Sequence, residues 1–505
     1  MQDKYDVVIV GGGPAGLYTA YGIISENYNH RITEKSKIKV AIIEKGKSPE
    51  NRICPAIKYK SGCINCKICS IMSGVGGCGF QSDGKFPITN DFGGHLWEKI
   101  GKEKSLELQK NVDSLNQKFY LRAKGISDSR IHQYESDRYT TLFENEQDNF
   151  PELFSSKNSS YKKICTQHNL HLLDADIRHL GTDKGQVVYN QLFTELIDGG
   201  VDFLTDTEVT SVMTNPDINL RDEYKYWVGT KSYGFYAKEV VIAAGRSGSK
   251  WVSGVCRYLN IETRANKVDI GIRFECPDEI WDHVTKSLYE AKIVYKTETY
   301  EDEVRTFCMN PSGEVVNENT NGIVTVNGHA FEDKTKKTNN TNFALLVSQT
   351  FTEPFNDSNG YGTAIVKLSN MLGGGGVIVQ RYGDLIRGRR STKQHILHNT
   401  VTPTLNCEPG DLSWILPKRI LDDILEMIGK LDHLVPGMTN DDNLLYGVEL
   451  KQYNMTVDVN ENLEAKNYEG LYFIGDGAGW THSLSQASAS GLYVSEKILE
   501  NLKEN

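Results

Sequence analysis

The 505-residue sequence has no run approaching the roughly 20 apolar residues that a membrane-spanning helix needs. No membrane association is therefore expected. The first apolar strand begins within about five residues of Met1, which leaves no room for a secretory leader. The expected location is the cytoplasm. Positive charge is in deficit as well: 56 Lys and Arg stand against 66 Asp and Glu, for a formal charge of −10. A surface of that sign repels phosphate backbones and argues against bulk nucleic-acid binding, although the basic run from Arg381 to Arg390 offers a local grip for an anion. No internal repeat is visible.

What is present is the composition of a folded globular chain, with 39% hydrophobic and 24% charged residues, long enough for about three domains. The segment "YDVVIVGGGPAGLYTAYGI" reads as a buried strand, a glycine turn and a helix. Gly11, Gly13 and Gly16 stand at dinucleotide spacing. Gly11 allows the tight turn, Gly13 allows close approach of a pyrophosphate, and Gly16 allows the helix to pack on the strand, with Pro14 and Ala15 opening the helix. The next apolar run, "KVAIIEKG", ends in Glu44, a carboxylate placed to accept ribose hydroxyls.

FAD and NAD share that fingerprint, and the rest of the chain selects FAD. "GLYFIGDGAGWTHSLSQ" reads as a strand ending at Gly475-Asp476, then a small-residue turn and a long helix from about Ser483. This suits a carboxylate bonded to a ribityl hydroxyl and a helix dipole aimed at the flavin's pyrimidine edge. "EVVIAAGRSGS" is a strand ending at Ala244-Gly245, and backbone near Val209 is positioned to meet the adenine. A second glycine turn between strand and helix is lacking: "LGGGGVIVQ" (372–380) precedes a strand and reads as a turn or substrate-side loop. Without a dedicated nicotinamide domain, NAD(P)H docks transiently or electrons arrive from another carrier, such as an electron-carrier protein.

The set "GGGPAG", "GVGGCGFQSDGK" (74–85), "RHLGTD" (178–183), "VDIGIRFE" (268–275), "RTFCMNPSGEVV" (305–316), "VNGHAF", "RYGDLIRGR", "YGVELK" (446–451) and "GLYFIGDGAG" resembles the uncharacterised FAD-dependent dehydrogenase family, a branch of the glutathione-reductase-like flavoproteins. Where similar proteins often carry "CMCPGG" this chain has "CMNPSG" (308–313), so no role for a second cysteine carries over. The resemblance implies an α/β fold: a discontinuous glutathione-reductase-like, FAD-binding Rossmann domain at 1–265 and 441–505, with an inserted α+β substrate domain at 266–440. The first part is expected to hold a cysteine-rich loop (54–78) and a helical segment (95–198). The stretch 331–342 reads as a surface loop or lid. The implied activity is an FAD-dependent oxidoreductase passing a hydride or electrons between flavin and a small-molecule substrate. The rivals are a flavin-dependent saturating reductase, an enzyme acting on a modified nucleoside, and a non-catalytic redox sensor built on FAD and metal-thiolate.

The glycines of "GVGGCGFQSDGK", Gly76 and Gly77 among them, suit a loop lying along the isoalloxazine, with Ser82 and Asp83 as polar contacts and Lys85 stabilising reduced flavin. His179 and Asp183 form a candidate proton relay, with Arg178 beside them to place an anion. Arg273, Arg305 and Arg381 are candidate anion-binding groups for substrate. Five of the ten cysteines fall between 54 and 78. Cys63, Cys66 and Cys69 match the three-cysteine core of a ferredoxin run, with Cys54 or Cys78 as the fourth ligand of a 4Fe-4S cluster. The same thiolates suit Zn or a redox disulfide, or have no cofactor role, and these readings stand open.

Overall fold

The computed structural model describes residues 3–29, 37–59, 66–131, 149–157, 159–288, 290–320, 322–330, 335, 337–351, 354–355 and 357–504. The chain divides into two compact units: unit 1 comprises Met1–Leu153, Asp176–Arg264 and Asn454–Asn505, and unit 2 comprises Phe154–Ala175 and Ala265–Tyr453.

Unit 1 is built on a parallel sheet in the order Asp202–Leu204, Val40–Ile43, Lys4–Val10, Gly234–Ile242, with Leu471–Phe473 also parallel to the last of these. The central strands are continuous apolar runs because both faces are covered; Val7, Val8, Ile9, Ala41, Ile42 and Val240 are all fully buried. An antiparallel pair, Val209–Thr214 with Tyr226–Thr230, extends the sheet from Gly234–Ile242. The first helix, Pro14–Asn29, packs against the C-terminal helix, Leu484–Glu504. Small residues set that close approach: a Cβ on Gly491 would lie 2.2 Å from the Ala15 carbonyl oxygen, and one on Gly22 would lie 2.0 Å from Ser495 Oγ.

Helices Lys102–Ala123 and Gly181–Asp198 pack on each other and on this pair. Between them in sequence, Asp176–His179 pairs antiparallel with Lys85–Ile88.

Unit 2 centres on an eight-stranded sheet whose spine is Val268–Pro277, hydrogen-bonded to Asn340–Gln349 on one side and Leu444–Gln452 on the other. In the spine Val268, Ile270, Ile272, Phe274 and Cys276 alternate with Asp269, Gly271, Arg273 and Glu275. The apolar set packs with Trp281 from helix Asp278–Leu288 and Ile424, Met427 and Ile428 from helix Lys418–Leu434. The other set lies on the polar face.

The division differs from the sequence expectation at two places. Residues 441–453 belong to unit 2, because Leu444–Gln452 is hydrogen-bonded into its sheet between Val268–Pro277 and Ile378–Arg381. Within the segment expected to be helical, Leu170–Leu172 instead forms an edge strand of the same sheet against Ile293–Lys296. Part of the expected lid, 331–334 and 336, lies outside the described residues. Among the described residues no helix is long and apolar enough to cross a membrane.

Candidate functional site

In unit 1, three parallel strands end together. Val10, Ile242 and Phe473 are in register across Lys4–Val10, Gly234–Ile242 and Leu471–Phe473. The chain then turns at Gly11, at Ala243-Ala244-Gly245 and at Gly475. Carboxyl ends of parallel strands, where connections diverge, are where α/β sheets bind ligands. Gly11 adopts φ +114°, and a Cβ there would lie 2.4 Å from the Ala243 carbonyl oxygen; a Cβ on Gly16 would lie 2.1 Å from the Gly11 carbonyl oxygen. Both positions are closed to any side chain. Gly13 and Gly245 differ: an added Cβ would find only Gly77 Cα, at 3.9 Å, beside Gly13 and nothing within 4 Å at Gly245. Both face open space, Gly13 at the N-terminus of the first helix, as a cradle for a pyrophosphate requires.

Glu44 is buried, and its carboxylate organises the turn. Oε2 accepts from the Gly12 N–H at 2.8 Å, while Oε1 accepts from Gly46 at 2.8 Å and Gly74 at 2.9 Å. Of the roughly four acceptor positions on a carboxylate, three are filled by backbone, leaving one on Oε2 for a ribose hydroxyl. The bond to Gly74 ties the glycine-rich loop to the dinucleotide turn, and the Gly76 N–H adds a 2.7 Å bond to the Gly12 carbonyl. Gly74, Gly76 and Gly77 all have positive φ, so the loop can lie this close.

Arg52, which no sequence pattern singled out, clamps the other side of the loop. Its guanidinium donates to the carbonyls of Ser70 (3.0 Å), Ile71 (2.7 Å) and Val75 (2.7 Å) and lies 4.9 Å from the centre of the Phe80 ring. Burial lowers its pKa to about 10, still charged at neutral pH. Ser82 is spent on the turn, donating to the Gly79 carbonyl and accepting from the Gly84 N–H.

Asp476 follows the third strand end. Its Oδ1 accepts from Thr481 Oγ1 at 2.9 Å, and Oδ2 lies 3.6 Å from Arg246 Nε. Burial raises its pKa, and the Arg246 charge and the Thr481 bond oppose that rise. Ser483 caps the C-terminal helix by accepting from the Gln486 N–H. Val209 is buried at the start of its strand, beside an irregularity in the pairing with Tyr226–Thr230.

The residues expected to carry protons are rearranged. Lys85 and His179 face each other across a two-strand ladder, and Asp83 bridges them: His179 Nε2 lies 2.8 Å from Asp83 Oδ1, and Lys85 Nζ 3.6 Å from Asp83 Oδ2. The carboxylate partner of His179 is thus Asp83. Asp183 is exposed in the first turn of Gly181–Asp198, where a negative charge favours the helix N-terminus. Arg178 is not available to a substrate anion: it forms a two-point pair with Asp113 (2.9 and 2.6 Å) and also donates to the Pro151 carbonyl.

In unit 2 each expected anion-binding arginine already meets carboxylate. Arg273, fully buried, faces Glu449 at 3.3 Å and donates to Asn342 Oδ1 and the Cys308 carbonyl. Arg305 pairs with Asp269 and Tyr453. Arg381 pairs with Asp442 and bonds Asn399.

Cys63 lies outside the described residues. Cys54, Cys66, Cys69 and Cys78 are free thiols, and among the described residues no group of three or more His, Cys, Asp or Glu side chains is arranged to hold a metal ion. The geometry therefore lends nothing to the iron-sulfur, zinc or disulfide expectation.

Residues 267–452 match the family described as FAD-dependent protein, C-terminal domain-like. An uncharacterized protein of Clostridium beijerinckii is 27% identical over 344 residues, 64% of this chain and 62% of that protein; the likeness thus spans about three fifths of the relative's length. Among solved structures, glycine oxidase from Geobacillus kaustophilus aligns at 12% identity over 99% of this chain and 95% of that one, with a TM-score of 0.38. L-Amino acid deaminase from Proteus myxofaciens, in complex with anthranilate, aligns at 13% over 99% and 91%, also with a TM-score of 0.38. Structural likeness at that level says nothing of this chain's chemistry. The match to an FAD-dependent protein's C-terminal domain covers residues 267–452, less than half of the chain, and the dinucleotide turn with Glu44 and Asp476 beside it lies in the other unit.

Proposed function

We propose that the chain oxidises or reduces a small organic substrate, with FAD held by unit 1 and a proton managed by His179, Asp83 and Lys85. The observation that carries the reading is the convergence of three parallel strand ends on an open glycine cradle flanked by two carboxylates, buried Glu44 and partly buried Asp476. Bound FAD supplies reversible two-electron chemistry, which no single side chain offers.

The protein's own part is to bind and orient. Backbone N–H groups from Gly13 onward and the first helix dipole hold the pyrophosphate. The remaining acceptor position of Glu44 takes a ribose hydroxyl, backbone at Val209 meets the adenine, and Ala244 and Gly245 let the chain pass close. Asp476 accepts from the ribityl chain, while Gly76, Gly77 and the C-terminal helix beginning after Ser483 border the ring system.

Asp83, between an imidazole and an ammonium, holds His179 in one orientation. A proton released or taken up as the substrate changes oxidation state passes through His179. The glutathione-reductase-like arrangement and a transient NAD(P)H or carrier-protein donor belong to the same reading.

The test is to reduce the purified, FAD-loaded protein anaerobically, with NADH, NADPH, amino acids and 2-hydroxy acids added separately while the visible spectrum is followed. Rapid bleaching by one of them supports the reading. Bleaching by none, with dithionite still effective, replaces it by the non-catalytic sensor.

A further inference from the structure

The polar face of the unit 2 sheet gathers an uneven set of charges around one aromatic ring. Phe307, half-buried, has Lys292 Nζ 4.0 Å, the Arg305 guanidinium 5.1 Å and Lys451 Nζ 5.8 Å from its centroid. Three strands or their flanks bring these together, and Arg273 and Lys267 complete the group. The buried carboxylates are fewer. Glu449 serves both Arg273 (3.3 Å) and Lys451 (3.0 Å). Asp269 pairs with Arg305, and its charge also acts on Lys267. Glu290 holds Lys292 at 2.7 Å. Five cations on this face thus meet four buried carboxylates, the fourth being Glu275, which is bonded to Asn340, Thr404 and Tyr446 and whose pKa burial raises, while exposed Glu303 lies at the rim.

This imbalance is held in a poorly hydrated place. Lys292 is 9% exposed, and Arg273, Asp269 and Glu449 are fully buried. Burial pushes the pKa of both Lys267 and Lys292 below the ordinary lysine range. Arg305 Nε is buried and meets no acceptor, so the cluster contains an orphaned donor as well as surplus charge. Buried surplus charge is costly unless something of opposite sign completes it.

The backbone beside the ring is also shaped. Between Phe307 and Asn310 the strand carries one extra residue relative to its partner, and Cys308 adopts φ +48°. That left-handed conformation is unfavourable for a non-glycine residue. It is held by Glu290 accepting from the Cys308 N–H at 3.0 Å, and by Arg273 and Asn310 donating to the Cys308 carbonyl at 3.0 and 2.9 Å. Bulges of this kind re-aim side chains beside sites.

We infer that this cluster binds an organic carboxylate, with Lys292, Lys451 and Arg305 facing the anion and Phe307 packing beside its apolar body. A surplus of one charge over the buried carboxylates matches a carboxylate. The half-buried ring favours an anion with apolar substance over inorganic phosphate, and the Arg273 fork is already spent on Glu449, Asn342 and Cys308. That the carboxylate belongs to the substrate rests on the oxidoreductase reading above; the binding site itself rests on unit 2 alone.

The experiment is calorimetric titration of the FAD-loaded protein with benzoate, and separately with inorganic phosphate, at low ionic strength. Saturable one-to-one binding of benzoate is expected, weakened at least tenfold in Lys292→Met and in Lys451→Met. Lys286→Met, altering an exposed lysine paired with Asp282, should leave it unchanged. Thermal melts identify a variant that fails to fold, and the less buried Lys451 keeps the test decisive if Lys292→Met does. Absence of benzoate binding to the wild-type protein, binding that neither variant weakens, or tighter binding of phosphate than of benzoate overturns the inference. Benzoate binding in a protein whose flavin no substrate bleaches upholds this site and removes the oxidoreductase reading; bleaching without benzoate binding does the reverse.

Discussion

Replacing Glu44 separates the two roles its carboxylate plays, and the structure sets the size of the effect. Its two oxygens accept three backbone N–H bonds, from Gly12, Gly46 and Gly74, at 2.8–2.9 Å, and all three donors are buried. Water cannot replace what is removed. In Glu44→Gln the amide oxygen can take the place of Oε1 and keep Gly46 and Gly74, while the amide nitrogen faces the Gly12 N–H donor to donor. One charge-assisted bond is lost and a donor is stranded, at a cost of about 2 kcal/mol. Glu44→Ala strands all three, at about 3–5 kcal/mol, since such losses are not additive. Because the Gly12 bond shapes the dinucleotide turn and the Gly74 bond holds the facing loop, the loss should appear in cofactor binding. FAD titration of stripped protein, followed by flavin fluorescence, should give a Kd raised roughly 30-fold for Glu44→Gln and 100-fold or more for Glu44→Ala. Equal affinity of wild type and Glu44→Gln would refute the clamp, and equal affinity of Gln and Ala variants would refute the division of bonds between the oxygens.

Gly16→Ala places a methyl 2.1 Å from the Gly11 carbonyl oxygen, so the protein should purify colourless while unit 2 retains its fold by circular dichroism. Glu239 is 1% exposed, and burial raises its pKa to about 7. Its neutral form is the one the fold prefers, so its contribution is complete below about pH 4.5 and is lost as pH rises through 7. Glu239→Gln should therefore melt with the wild type at pH 5 but be more stable at pH 8, by up to about 3 kcal/mol, as thermal scans at the two pH values will show. Arg273→Met leaves buried Glu449 with Lys451 alone and removes the donor to Asn342 Oδ1 and the Cys308 carbonyl, and should destabilise unit 2 by about 2–3 kcal/mol in urea unfolding, more than Arg381→Met, whose partners Asp442 and Asn399 reach water. Asp83→Asn should slow the proton-dependent step and alter the pH profile of flavin reduction, whereas Asp183→Asn should leave both as in the wild type.

The parts of the site visible in the sequence are those whose signature is local. Gly11, Gly13 and Gly16 lie within one turn, Glu44 ends the next apolar strand, and Gly475-Asp476 ends another, so spacing alone carries their positions. What was hidden depends on partners distant in the chain. Arg52 acts on carbonyls 18 to 23 residues away, a reach that leaves no periodic trace. Asp183 looked like the partner of His179 because it is four residues on; strand pairing with Lys85–Ile88 turns the ring instead toward Asp83. Arg273 and Arg305 stood in apolar strands and read as anion grips, since nothing in those strands shows that Glu449, from a distant strand, and Asp269 will be folded against them. The same nonlocality moved the boundary of unit 2: "YGVELK" is apolar enough to belong to either unit, and only its pairing with "VDIGIRFE" decides.

The central claim is that unit 1 holds FAD through the converging strand ends. It is tested most directly by denaturing the protein purified under gentle conditions, identifying the released cofactor by mass, and quantifying it per chain. The account predicts FAD at one per chain in the wild type and a large loss in Glu44→Ala. Release of NAD or FMN, or full FAD retention in Glu44→Ala, would contradict it.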